Sequence, residues 1–407
     1  MPPSSADGPL HGIRILDLTT VVLGPYATQI LGDYGAEVIK VEALDGDLIR
    51  ANGVSRHPGM SSLFLSLNRN KRSVAVDLKR PEGRRLFLEL AAGADVVVHN
   101  MRIGAIARLG LGYDAVCAVN PRVVYCAATG YGQDGPYHGK PSYDDIIQAA
   151  SGLASLGRDA HGTPTYVPAL IADKTAGLAL VNALLAALLH RERTGQGQHV
   201  EVPMFETLVA FNLAEHLGGL TFEPPLGGAG YARIIGGRRP LPTADGYAAI
   251  LPYSPEQWTS LFRRIGRADV LEHHDLTDRH RVNAVVRLLY DELHGEGPSR
   301  TTAQWMDICD ELDLPATPVY ALDDLPSHPH LKAVGLFQNI EHPSEGALRS
   351  VRPAVRFGAT PASVRTPAPL LGQDTETVLA GLGYTSTEIA ALEAAGAIAT
   401  LRAAEVA

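Results

Sequence analysis

Asp173 is a lone carboxylate in Pro168-Ala-Leu-Ile-Ala-Asp173-Lys-Thr-Ala-Gly177, where an apolar stretch gives way to a long helical pattern. A charge at such a junction has two uses. It can cap the helix by accepting from the amide of Thr175 or Ala176, or it can do chemistry. Spacing alone favours the cap. Tyr143-Asp144-Asp145 poses the same choice ahead of the apolar run Ile146 to Leu153, and either aspartate suits an N-cap. Asn68-Arg69-Asn70-Lys71-Arg72-Ser73 gathers positive charge in one turn, and Lys40, Arg102 and Arg108 add cations in other loops. The plain reading is solvated charge. The chemical one is phosphate binding at the carboxyl edge of a parallel sheet. His273-His274-Asp275, with Asp278 and His280, has metal-binding side chains. Sequence neighbours do not easily turn to one centre, so no metal site is expected. The turn Thr19 to Pro25 carries one glycine where a dinucleotide fingerprint needs three, which argues against a nicotinamide cofactor.

The elements that must hold these residues alternate. Strands are read at Ile13–Leu18, Gly35–Glu42, Ser73–Asp77, Asp95–His99, Arg122–Ala128 and Gln198–Val202, with helices at Pro25–Tyr34, Pro81–Ala92 and Ala176–Arg191. The last helix places Leu178, Val181, Leu185 and Leu188 on one face, and Thr194-Gly195-Gln196-Gly197 stops it. Such alternation predicts an α/β fold with a parallel sheet covered on both faces. The texture changes near Pro224 and again near Leu322. A strand at Tyr247–Leu251 and a helix at Gln257–Ile265 fall between, and a helix at Thr387–Ala395 comes last. The expected divisions are 1–223, 224–321 and 322–407.

Composition narrows the partners. A net charge of −9 over 407 residues disfavours nucleic acid, which wants a basic surface. Cys117, Cys126 and Cys309 fit no disulfide framework, so reduced thiols in the cytoplasm are expected. Met1 to Leu10 reads as a frayed tail and not as a signal peptide, and no apolar run approaches a membrane span.

Taken in order, the motifs resemble the class III CoA-transferases, the CaiB/BaiF family of formyl-CoA transferase and carnitine CoA-transferase. The resemblance runs from about Leu10 to Ile398. It is carried by Asp17-Leu-Thr, Gly24-Pro25-Tyr-Ala-Thr28-Gln29, Leu31 to Glu42, Asn68 to Ser73, Asn100 and Arg108-Leu-Gly110. It continues through Asn120-Pro-Arg122, Gly130-Tyr-Gly132, Tyr143 to Gly152, Asp173, Arg193 to Gln198 and Pro369 to Thr375. The resemblance implies a Rossmann-like large domain built from both chain ends, a smaller α/β domain between, and two subunits interlocked like linked rings. It implies that Asp173 attacks an acyl-CoA thioester, with Tyr143 and Asp144 beside it and Gly236-Gly237 in a covering loop. Lys71, Asn100 and Arg108 match CoA-binding positions, and Arg72 joins them. Val22 and Ala43 stand where formyl-CoA transferase has glutamine and arginine, which weakens formyl or oxalyl substrates. CoA is implied as a substrate, with no tightly bound cofactor, and a carboxylic acid as acceptor. Arg238-Arg239 is either a dicarboxylate partner or solvated charge.

Two other functions share parts of this pattern. α-Methylacyl-CoA racemase has Gly-His-Asp where this chain has Ser142-Tyr143-Asp144, so a two-base racemisation lacks its histidine. A non-catalytic CoA-binding protein would have no need of both Asp173 and the basic turn.

Overall fold

The computed structural model describes residues 8–157, 161–231 and 238–401. The chain divides into two compact units, Met1–Asn212 with Val334–Ala407, and Leu213–Ala333. The smaller unit thus begins at Leu213 instead of Pro224 and runs to Ala333 instead of Ala321.

The first strands are β1 (Arg14–Leu18), β2 (Glu37–Glu42), β3 (Lys71–Val76), β4 (Val96–His99), β5 (Val124–Thr129) and β6 (Gln198–Pro203). In the small unit follow β7 (Leu241–Pro242), β8 (Tyr247–Ile250) and β9 (Ala316–Pro318). Back in the large unit come the hairpin β10 (Phe337–His342) and β11 (Gly346–Val351), and finally β12 (Ile398–Ala399). The large unit's sheet has seven strands in the order β12-β3-β2-β1-β4-β5-β6. All neighbours are parallel except β12, which runs antiparallel to β3. The chain steps outward from β1 to β3, then returns to the other side of β1 to lay down β4. Loops diverge over that reversal and leave a crevice at the carboxyl ends of β1 and β4.

Alternate residues of each strand feed opposite faces. Ile15, Val38, Val98 and Cys126 pack under the helices Leu23–Asp33 and Ile171–Thr194. Leu16, Ile39, Val74 and Val97 pack under Pro81–Ala92, Tyr113–Val119 and Ser386–Ala394. The small unit builds its own core on Trp258, Phe262, Leu289 and Trp305. Its helices Pro255–Arg264 and Thr302–Glu311 start with capping boxes, Ser254 with Gln257 and Thr301 with Gln304.

The long helix differs from its expected form in three respects. It starts at Ile171, which takes Asp173 into its first turn. Its buried residues are Ala172, Ala176, Gly177, Leu180, Val181, Leu184, Ala187, Leu188 and Arg191, so Val181 and Leu188 of the expected face are buried while Leu178 is exposed. By length and composition alone it could cross a membrane, with 24 residues and a mean hydropathy of 1.5, contrary to the reading that no run is long enough. Its buried stripe lies instead in the core against the sheet.

Candidate active site

The crevice at the strand reversal holds a cavity of about 250 Å³. Thr20, Val21, Val22 and Leu23 enter it after β1, and Asn100 and Arg102 after β4. Tyr143 and Asp173 close it from the starts of two helices. Tyr143 is 68% exposed, and Asp173 is half-buried.

Asp173 does not cap its helix. The N-cap position is Leu170, and no side chain of the helix itself serves there. The acceptor comes from elsewhere: Asp144 Oδ2 accepts from the Asp173 amide at 3.0 Å. Asp144 Oδ1 accepts from Gln148 Nε2 at 2.6 Å, and Gln148 Oε1 accepts from the Val167 amide at 2.9 Å. Asp144 is thus a buried positioner whose own helix it leaves uncapped. Asp173 stands three and four residues before Ala176 and Gly177, so it continues the buried stripe into the cavity. Gly177 lets the helix come this close, because a Cβ there would stand 2.8 Å from the Leu23 carbonyl oxygen.

Burial lifts the Asp173 carboxyl, and the nearby Asp144 carboxylate lifts it further, to about 7. The Asp173 carboxyl thus keeps its proton to higher pH than an ordinary carboxylic acid.

The opposite wall is a strained turn. Val21 has φ +69°, an outlier for a β-branched residue. Asn100 clamps the residue before it, accepting from the Thr20 amide at 3.0 Å and donating to the Thr20 carbonyl at 2.8 Å. Asp47 Oδ1 accepts from the Val21 amide at 3.1 Å. Lys40 Nζ donates to the Thr19 carbonyl at 2.8 Å and to Asp47 Oδ2 at 2.9 Å. Val22 is buried and begins the next helix.

Val22, Asn100, Tyr143 and Asp173 therefore meet at one cavity, with Asp144 behind Asp173. Other expected residues do not reach it. Lys71 and Arg72 belong to β3 and begin it, at the opposite edge of the sheet from the carboxyl ends. Lys71 is fully buried, donating to Asp17 Oδ2 at 3.2 Å, Asn68 Oδ1 at 2.9 Å and the Pro25 carbonyl at 3.0 Å. Arg72 pairs with Glu37 at 3.0 Å and lies 3.5 Å from Asp374. Arg69 of the same turn forks onto Asp33 at 3.0 and 2.7 Å. Arg69 and Lys71 of the basic turn are thus buried and paired inside the large unit, and Arg72 is paired at its surface. Asn100 spends its amide on Thr20, and Arg108 is exposed at the end of its helix, outside the cavity lining. Gly236 and Gly237 lie outside the described residues. In the small unit, Arg239 pairs with Asp291 at 3.3 Å, and Asp278 caps the helix Arg279–Glu296. Among the described residues, no three His, Cys, Asp or Glu converge as metal ligands.

Arg102, one of the cations the sequence places at the carboxyl edge of the sheet, lines the Asp173 cavity three residues past β4, whereas the sequence gave Asp47 no role. A second cavity of about 420 Å³ lies along the carboxyl ends of β1, β2 and β3, lined by Ala43, Asp47, Lys79 and Met101 and sharing Thr20 with the first. A larger cavity, about 740 Å³, lies away from Asp173 between the helices Leu23–Asp33 and Ile171–Thr194 and the hairpin β10–β11. Chemistry, not size, selects the smaller one.

Residues 10–375 match the family described as CoA-transferase family III. The succinyl-CoA:glutarate CoA-transferase of Mus musculus is 35% identical over 384 residues, covering 93% of this chain and 88% of that protein. An acyl-CoA transferase of Fusarium pseudograminearum is 34% identical over 413 residues, covering 97% of this chain and 89% of that protein. The orthorhombic crystal structure of Rv3272 from Mycobacterium tuberculosis superposes with a TM-score of 0.79 at 32% identity, covering 91% of this chain and 99% of that one.

Proposed function

The chain belongs to CoA-transferase family III, an enzyme family that exchanges CoA between acyl-CoA and carboxylate, and on that premise we propose that Asp173 carries the exchange covalently. The Asp173 carboxylate attacks the donor thioester carbonyl, forming a mixed anhydride and releasing CoA thiolate. The thiolate attacks the aspartyl carbonyl, expelling the donor acid and leaving an aspartyl-CoA thioester. An acceptor carboxylate attacks that thioester, giving a second anhydride and thiolate. The thiolate then takes the acceptor's acyl group and frees Asp173. Each difficult exchange is divided into steps between similarly activated acyl groups.

The observation that carries this reading is a carboxylate at the strand reversal that is held by its amide and, among the described residues, not by its oxygens. Ionisation places a charge in the first turn of a helix, where the dipole favours it. CoA spans the two cavities joined at Thr20 in this proposal, with its thioester beside Asp173 and its nucleotide end toward Lys79. Tyr143 covers the reacting atoms. Among the described residues lining the Asp173 cavity there is no histidine, which speaks against racemisation by two bases. The subunits pair as an interlocked homodimer, supported by exposed Leu178, Leu189 and Phe211. The free thiols Cys117, Cys126 and Cys309 support a cytoplasmic setting.

The test is an exchange assay across acyl-CoA donors and carboxylic acids, begun with succinyl-CoA and glutarate because a similar protein is named for them. Exchange is expected for at least one pair and absent in Asp173→Ala. Undiminished exchange in that variant would overturn the proposal.

A further inference from the structure

We infer that Asp47, acting through the strained turn Thr19–Val22, is a positioning residue for the reaction at Asp173. The inference rests on the reading of Asp173 as nucleophile. Asp47 touches no reacting atom in that reading. It acts by holding the wall that faces Asp173.

Val21 adopts φ +69°, which a valine keeps only when its surroundings over-determine it. The surroundings do so residue by residue. Lys40 holds the Thr19 carbonyl, Asn100 holds the backbone amide and carbonyl of Thr20, and Asp47 holds the Val21 amide. Asp47 is itself locked. Its Oδ2 takes Lys40 Nζ at 2.9 Å, its Oδ1 also takes the Ile49 amide at 3.2 Å, and its own amide donates to Glu42 Oε2 at 3.1 Å. The Asp47 and Lys40 side chains are fully buried, so neither can exchange its partner for water. The turn leads directly into Val22 and Leu23, and the Leu23 carbonyl lies against Gly177, one helical turn from Asp173. Without the Asp47 bond, Val21 relaxes toward negative φ and the Val22–Leu23 wall moves relative to the nucleophile. A displacement of this order costs alignment more than binding.

A role through strain makes a prediction that a packing role does not. Glycine takes φ +69° freely, so Val21→Gly should let the turn keep its shape without Asp47. In Asp47→Ala, kcat is expected to fall about 10- to 100-fold, with the KM for acyl-CoA changed less than about threefold. Adding Val21→Gly to Asp47→Ala should restore most of kcat. An unchanged kcat in Asp47→Ala, or a loss that Val21→Gly fails to relieve, overturns the inference. Should Asp47→Ala not fold, Asn100→Ala removes the Thr20 clamp without touching the buried charges, and it carries the same loss and the same rescue. Hydroxylamine capture of the acylated aspartate separates the two levels of argument. No capture in the wild type overturns the nucleophile reading. Capture at the wild-type rate in Asp47→Ala overturns the positioning role alone.

Discussion

Two sets of buried carboxylates sit within the same large unit and meet opposite fates. Asp17 and Asp47 each face a lysine at ion-pair distance, with side chains fully buried. Burial alone would raise the Asp17 carboxyl, but Lys71 and Lys40 outweigh it and hold it below the usual range. Asp17 also accepts from Thr19 and Thr28, at 2.5 and 2.6 Å, so both its oxygens are committed. Asp173, half-buried, lies beside Asp144 instead, a like charge, and is pushed up to about 7, first by burial and then by that charge. Burial penalises the charge of both Asp17 and Asp173, and their neighbours carry opposite signs. A carboxylate with a cation and committed oxygens is scaffold. In the proposed mechanism, the one left facing another carboxylate in a cavity meets the substrate.

The strongest way to break this contrast is to remove the reactive member. Asp173→Ala should lower kcat/KM by about 10⁴-fold or more, with melting temperature and CoA binding retained. The same loss with a collapsed melting temperature would make Asp173 scaffold after all.

Stability distinguishes the sets by sign. Asp17→Asn strands Lys71 without its counter-charge and should cost about 3–5 kcal/mol in urea unfolding near neutral pH. Asp173→Asn should do the opposite. The folded pKa of Asp173 lies above its unfolded value, so its charge is tolerated less well folded than unfolded. That penalty is absent at low pH, grows as pH rises toward about 7, and is complete above it. Asp173→Asn should therefore stabilise the fold at pH 8 and make little difference near pH 3. Destabilisation at pH 8 would mean that Asp173 is structurally paired.

The subtlest effect is on the pH profile. The proposed mechanism needs Asp173 ionised, so kcat/KM should rise with pH through about 7 and level off above it. Asp144→Asn keeps an acceptor for the Asp173 amide while removing the like charge, and should move the midpoint to lower pH. A midpoint that does not move would assign the whole shift to burial.

Much of this was legible in the chain and some was not. The alternation of apolar strands and helices conveys the α/β fold, because burial on both faces leaves a plain signature. The inward aim of Asp173 is legible once Gly177, Leu180 and Leu184 are seen to continue it at helical spacing. The basic turn misleads because its partners Asp33, Asp17 and Glu37 are remote in sequence, and local charge says nothing of them. Asp17 and Lys40 offered a better clue. A charge within an otherwise apolar buried strand implies a partner. Capping was misassigned because the acceptor for the long helix comes from Asp144, 29 residues earlier. The helix Arg279–Glu296 goes unassigned in the sequence reading although Val282, Val286, Leu289 and Leu293 repeat at its period.

The central claim is that Asp173 becomes acylated. Incubating the enzyme with an acyl-CoA and hydroxylamine, then digesting it for mass spectrometry, tests this directly. Hydroxylamine attacks the aspartyl carbonyl of the anhydride or thioester and leaves a hydroxamate, releasing the donor acid or CoA. The account predicts that modification at Asp173, dependent on acyl-CoA and absent without it. Continued CoA exchange with Asp173 unmodified, or a hydroxamate on another residue, would contradict it.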